Sequence, residues 1–220
     1  MNPISFAAFA FALWSRLLHD YTDEAGRVDY ARLRANPADR VELDELYAQV
    51  GAESAPDEAF YIDAYNVVVW KNVIDNEPKR VDESLYKFFR RDYLVAGKTM
   101  TLDALEKKVI RPLFRDPRVH VALNCASAGC PLLPREAFTP DRLNAQLERE
   151  AARFCNERRN VDWDARTNTV KLSRIFDWYD KDFGDRIQWI NRYRKDKIPA
   201  KAKVEFVEWD WRLNDRSLAR

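Results

Sequence analysis

The sequence predicts an α+β fold, mostly helical, built around a small mixed or antiparallel sheet. Three observations carry this. Apolar residues recur at helical spacing in long segments, clearest over 57–75 and 143–154. Short strand-like runs face each other across turn residues at Ala96-Gly97 and at Asp164 to Asn168. The two kinds of segment are interspersed without the regular strand–helix alternation of a doubly wound sheet. At 220 residues, one domain spanning 1–220 is expected. The apolar share of 46%, with seven Trp, nine Tyr and twelve Phe, is enough for a sizeable core.

The elements follow in order. Ile4, Phe9, Leu13 and Leu17 make a helical stripe, so the apolar run Phe6 to Leu13 reads as a first helix. It resembles the centre of a signal peptide, but no Lys or Arg precedes it and Trp14-Ser15-Arg16 interrupt it. Gly26 to Tyr30 reads as a turn into a short extended piece. A polar helix is predicted over Ala38 to Val50 and a largely buried one over Asp57 to Asp75. Residues 84–90 read as a short helix. Asp92 to Val95 and Lys98 to Met100 form a hairpin, and Thr101 caps a helix from Leu102. Pro112 and Pro117 then lead into a strand, Val119 to Leu123. Thr139-Pro140-Asp141 reads as a helix start, with Leu143, Leu147, Ala151 and Phe154 on one face. Val161 to Trp163 and Thr169 to Leu172 form a second hairpin. Ser173 caps a helix over Ile175 to Tyr179, another helix spans Arg186 to Arg194, and Val204 to Trp211 alternates as a terminal strand.

Composition narrows the function classes. Lys plus Arg is 37 and Asp plus Glu is 36, a net charge of +1, which argues against general nucleic-acid binding. Five glycines leave no Gly-rich phosphate loop. No run reaches the roughly 18 apolar residues of a membrane span. Three cysteines make no disulfide framework, and the odd count leaves at least one free thiol unless chains pair. That favours a reducing, cytoplasmic setting; a periplasmic protein with one Cys125–Cys130 bridge is the alternative.

Residues capable of chemistry bunch in Asp116 to Leu133, where one of two histidines and two of three cysteines fall. Cys125 is the candidate nucleophile and His120 its candidate base. Regular strand parity puts an offset of five on opposite faces, so they meet only if the strand ends or bulges near Asn124. Cys130 precedes Pro131. The pair Cys125 and Cys130 suits a disulfide, two metal ligands, or a reactive thiol beside a packing thiol, and a zinc site with His120 and a carboxylate would be the metal version. Asp63 and Asn66 share a helical face among apolar neighbours. Either one could orient a histidine or bond a loop. Glu106 reads as a general base or a surface acid. Asp177, Tyr179 and Asp182, within an aromatic cluster, either line a pocket or fix the chain around the core. Cys155 reads as core and His19 as a helix-end surface residue.

Taken together, FYIDAYNVVVWK, TLDALEKKVIRPLFRDPRVHVALNCASAGCPLL, FTPDRLNAQLEREAARF and LSRIFDWYDKDF resemble the domain-of-unknown-function 547 family, in order, across nearly the whole chain. The positions matching the family's motifs are Asp63, Tyr65, Asn66, Glu106, His120, Cys125, Ser127, Cys130, Pro131, Asp177, Tyr179 and Phe183. The resemblance implies Tyr65, Ser127, Cys130, Asp177 and Tyr179 as substrate-contacting positions. Relatives often carry a histidine after the glutamate of the LEK segment; Lys107 stands there in this chain. The resemblance attaches no established activity, and bacterial relatives often look exported.

Three functions fit. One is a cofactor-independent thiol enzyme acting on a small-molecule or peptide acyl or disulfide centre. Cys125 would attack, His120 would be the base, and N–H groups of the Ala126 to Gly129 turn would form an oxyanion hole. The second is a redox switch through a Cys125–Cys130 disulfide. The third is a non-catalytic module that binds a protein partner. An accessible Cys125 favours the first, adjacent sulfurs the second, and a buried, isolated Cys125 the third.

Overall fold

The computed structural model describes residues 9–82 and 89–218. Among the described residues, nine α-helical stretches and two small sheets make up an α+β structure, and no helix is long and apolar enough to cross a membrane.

The first half is helical. Helix α1, Phe11–Tyr21, buries Trp14, Leu17, Leu18 and Tyr21, the spacing of one helical face. The shorter α2, Tyr30–Ala35, leads through Asn36 into α3, Pro37–Ala52; Asn36 caps the Ala38 and Asp39 N–H groups and Pro37 takes the first helical position. The Asp57 carboxylate accepts from the Phe60 N–H and starts α4, Glu58–Asn76. Fourteen of its nineteen residues are buried, so it is enclosed on nearly every side. Trp14 and Trp70 meet edge to face at 4.9 Å where α1 crosses it. The expected helix over 84–90 falls largely outside the described residues.

Strands β1, Asp92–Val95, and β2, Lys98–Thr101, form the expected antiparallel hairpin around Ala96-Gly97. Thr101 caps the next helical stretch, α5, residues 102–114. Its centre, Leu105–Ile110, is π-helical, and the Arg111 N–H bonds the Glu106 carbonyl. The predicted strand Val119 to Leu123 does not form. Asp116 accepts from the Arg118 N–H and Pro117 opens a 3₁₀ turn, Pro117–Val121. An acid followed by proline is a helix-start signal, and here it outweighs the apolar run. Val119, His120 and Val121 are all buried, without the alternation of a half-buried strand.

Helix α6, Leu143–Asn156, starts later than the Thr139-Pro140-Asp141 signal predicts. The Arg142 N–H bonds the Thr139 carbonyl, making a separate turn, and the Thr139 N–H donates to the Gln146 side-chain oxygen. The second hairpin is as expected: β3, Val161–Asp164, pairs antiparallel with β4, Thr169–Leu172. Short helices α7, Ile175–Trp178, and α8, Asp180–Phe183, precede α9, Arg186–Tyr193. The terminal strand, predicted over Val204 to Trp211, is Lys203–Phe206, β5; it pairs parallel with β4, so the sheet is mixed. The Val207 N–H still bonds the Leu172 carbonyl of β4; beyond it the chain leaves the sheet, and the Asp210 and Trp211 carbonyls accept from the Gly129 and Val81 N–H groups. The core has two clusters. One surrounds α4; the other packs Phe154, Phe176, Phe183 and Trp189 against the three-stranded sheet. In the 3₁₀ turn, Val119 belongs to the first and Val121 to the second, so His120 sits at their seam.

Candidate functional site

The segment after the 3₁₀ turn is fixed by side chains at both ends. Asn66 of α4 donates to the Ala122 carbonyl at 3.1 Å and accepts from the Asn124 N–H at 2.9 Å. Asn124 accepts from the Ala126 N–H and donates to the Pro131 carbonyl, both at 2.8 Å. Arg159 donates to the Ala128 and Cys130 carbonyls. The Trp209 ring lies on Gly129, where a Cβ would come within 2.9 Å of the indole, so the loop needs glycine there.

Within this loop Cys125 and Cys130 are joined in a disulfide, with Cα atoms 6.4 Å apart. That excludes a free Cys125 thiol in this form of the chain, and it excludes the zinc reading, which needs both thiolates. Cys125 is partly exposed and Cys130 is buried. The Cys125 N–H donates to Cys130 Sγ at 3.1 Å. The Ser127 hydroxyl lies 3.2 Å from each sulfur. Three of the four N–H groups expected to form an oxyanion hole are already engaged. The Ala126, Ala128 and Gly129 N–H groups are held by Asn124 Oδ1, the Arg212 carbonyl and the Asp210 carbonyl.

Beside the bridge is a cleft of about 70 Å³. Tyr65, Glu106, His120, Cys125, Cys130 and Tyr179 line it, with Trp178 and Trp209 as further walls. The 3₁₀ turn removes the strand-parity obstacle, since His120 and Cys125 both reach this cleft. His120 is not oriented by Asn66 or Asp63. Its Nε2 is 2.8 Å from Asp182 Oδ2, and its ring stacks on Tyr179 at 3.9 Å. Burial pushes the His120 pKa down to about 4, against the opposing pull of Asp182. At neutral pH the contact is therefore a neutral N–H donating to a carboxylate. Burial works against the charge on Asp182, but bonds from Arg111 and His120 hold its pKa below the usual range. Arg111 donates to Asp182 at 2.7 Å and lies over the Tyr179 ring.

Glu106 is buried, and burial raises its pKa against a hydrogen bond from the Tyr179 hydroxyl. Its Oε1 has no hydrogen-bond partner among the described residues. Burial, followed by the nearby Glu106, likewise raises the pKa of Tyr65. The other expected residues lie elsewhere. Asp63 faces α1, accepting from Trp14 Nε1 at 3.1 Å, and burial raises its pKa well above the carboxylate range. Asp177 pairs with Arg174 at 2.8 Å, outside the cleft. Cys155 is fully buried and its pKa is raised by burial; His19 is exposed beside Asp20.

Arg111, Asp182, Trp178 and Trp209 complete the site; the sequence offers Asp182 as a pocket-lining or chain-fixing residue, not as the partner of His120, and does not single out the other three. Arg111 follows Glu106 by five, an offset that separates side chains on an α-helix and brings them together only through the π-helical turn. On the other side of the loop, Ser127, Cys130 and Pro131 also line an open cavity of about 540 Å³. Its guanidinium groups are already paired, Arg27 with Asp23, Arg159 with Glu157 and Arg212 with Asp210. The small cleft, with its unpartnered carboxylate oxygen, is the chemically stronger of the two.

Residues 52–155 match a family model described as a protein of unknown function, DUF547. The matched segment holds Asn66, Glu106, His120 and both bridged cysteines; Tyr179 and Asp182 lie beyond it. No curated protein and no solved structure matches the chain.

Proposed function

With a DUF547 family segment over residues 52–155 as the premise, and no activity attached to that family, we propose that the chain is a thiol–disulfide exchange protein working through Cys125 and Cys130. The carrying observation is the asymmetry of the bridge. Cys125 is the more exposed sulfur and borders the cleft. Cys130 is the buried sulfur and already receives an N–H from Cys125, with the Ser127 hydroxyl in reach. Exchange needs an accessible sulfur to attack and a stabilised thiolate to leave.

An incoming thiolate attacks Cys125 Sγ. A new S–S bond forms there, the Cys125–Cys130 bond breaks, and its electron pair goes to Cys130 Sγ. The Cys125 N–H and the Ser127 O–H are placed to stabilise that anion. A second thiolate then attacks the mixed disulfide and releases Cys125. The balance is two external thiols oxidised to one disulfide while the protein disulfide becomes a dithiol; the two protons end on the two cysteines. Neutral His120 stacks on Tyr179 beside the cleft, and the Tyr179 hydroxyl bonds Glu106 there. The nucleophilic role of Cys125 in acyl transfer would require the reduced form, and three of the four turn N–H groups are already engaged, so the exchange reading has the stronger support.

The test is the reduction potential of the pair, measured on the native protein in glutathione redox buffers. Exchange predicts a value above about −300 mV, the region of labile and catalytic bridges. A value below that would make the bridge a structural staple.

A further inference from the structure

The cleft has two features that exchange alone does not need: an unpartnered buried carboxylate oxygen, and aromatic walls around it. Glu106 is only 8% exposed, and its Oε1 has no hydrogen-bond partner among the described residues. Tyr65, Tyr179, Trp178 and Trp209 wall the same space. A buried acceptor of this kind is costly unless something donates to it. Ring faces around a carboxylate suit a cation, and a compact ammonium group most of all.

The neighbouring cations do not fill that role. Arg111 is engaged by Asp182 at 2.7 Å, and Lys107 by Asp103 at 2.9 Å. His120 is neutral at physiological pH, and its Nε2 is directed at Asp182. The acceptor is therefore left for a ligand. The cleft volume of about 70 Å³ admits only a few heavy atoms. Glu106 and Cys125 both border it, so a small molecule seated there has both beside it.

On this geometry we propose that the reducing substrate of the Cys125–Cys130 bridge is a short aminothiol, bound with its ammonium on Glu106 between the aromatic walls and its sulfur at Cys125. This rests on the exchange reading and adds the substrate class to it. The chemistry is the exchange already described: the aminothiol thiolate forms the bond to Cys125 Sγ, Cys130 leaves as thiolate, and a second aminothiol completes the reduction to give the aminothiol disulfide.

The experiment compares reduction of the native bridge by cysteamine and by 2-mercaptoethanol, which differ in the ammonium and the hydroxyl. Rates are taken at equal thiolate concentration and divided by each reagent's rate on a small unhindered disulfide, which removes intrinsic nucleophilicity. The expected result is a preference for cysteamine of about tenfold, the scale of a partly desolvated cation contact. Glu106→Gln should bring the ratio to near one. Trp178→Ala, at the exposed mouth of the cleft, should lower it too and serves if the buried substitution fails to fold. A ratio near one in the unsubstituted protein, with the bridge still reduced in its native state, overturns this inference and leaves exchange standing. A bridge inert to both reagents until denaturant is added overturns the exchange reading, and this inference with it.

Discussion

The Cys125 backbone N–H points at Cys130 Sγ across 3.1 Å, inside the loop that the two cysteines close. One cysteine thus presents a donor to the other's sulfur, and Ser127 adds a hydroxyl at 3.2 Å. Ser127→Ala removes one of the two donors. Native reduction by mercaptoethanol should slow by roughly fivefold, the factor for about 1 kcal/mol of lost hydrogen bonding. Stopped-flow reduction kinetics measure it; an unchanged rate would show that Ser127 does not assist the leaving sulfur.

Asn66 closes two buried backbone groups at once, the Ala122 carbonyl and the Asn124 N–H. Asn66→Ala should cost roughly 2–4 kcal/mol, since two polar groups lose their partner away from water. Urea denaturation of the variant decides this. A loss below about 0.5 kcal/mol, the size of an ordinary surface change, would mean that the loop is held by its other bonds.

His120 sets a pH dependence. Its folded pKa is about 4, below the unfolded value near 6.5. The neutral ring is therefore favoured by folding. Stability from this group is fully present above about pH 6.5 and is lost as pH falls through 4. Ring-proton NMR should place the His120 midpoint near 4, and His120→Gln should flatten the stability curve over that window. A midpoint above 6 would contradict the buried, neutral assignment.

Thiol counting separates the three cysteines. Cys155 is free and fully buried, while the other two are bridged. A maleimide should label none in the native protein, Cys155 alone after denaturation, and all three after denaturation with reduction. Label on Cys125 in the untreated native protein would show an open bridge.

How much of this was legible in the chain differs by element. The Asp57 cap with its apolar run, and the two hairpins with their turn residues, are local signals, and the helix and strands they predict are present. Val119 to Leu123 reads as a strand from its apolar run, but the Asp116-Pro117 start just before it sets a 3₁₀ turn instead. Strand β5 ends at Phe206 because a parallel partner, set by tertiary contact, decides where pairing stops. In the site, Cys125, Cys130, His120 and Glu106 stood out as rare or polar residues in apolar settings. Asp182 as the histidine's partner did not, because 62 residues separate them and only the packing of α8 brings them together. Arg111 was hidden by the π-helical turn, which leaves no simple periodicity.

The most direct test of the exchange account is peptide mapping after a brief native exposure to a monothiol, quenched by acid. The account predicts the mixed disulfide on Cys125 and a free thiol on Cys130, with the protein still folded. An adduct on Cys130, or no adduct until denaturant is added, would contradict it.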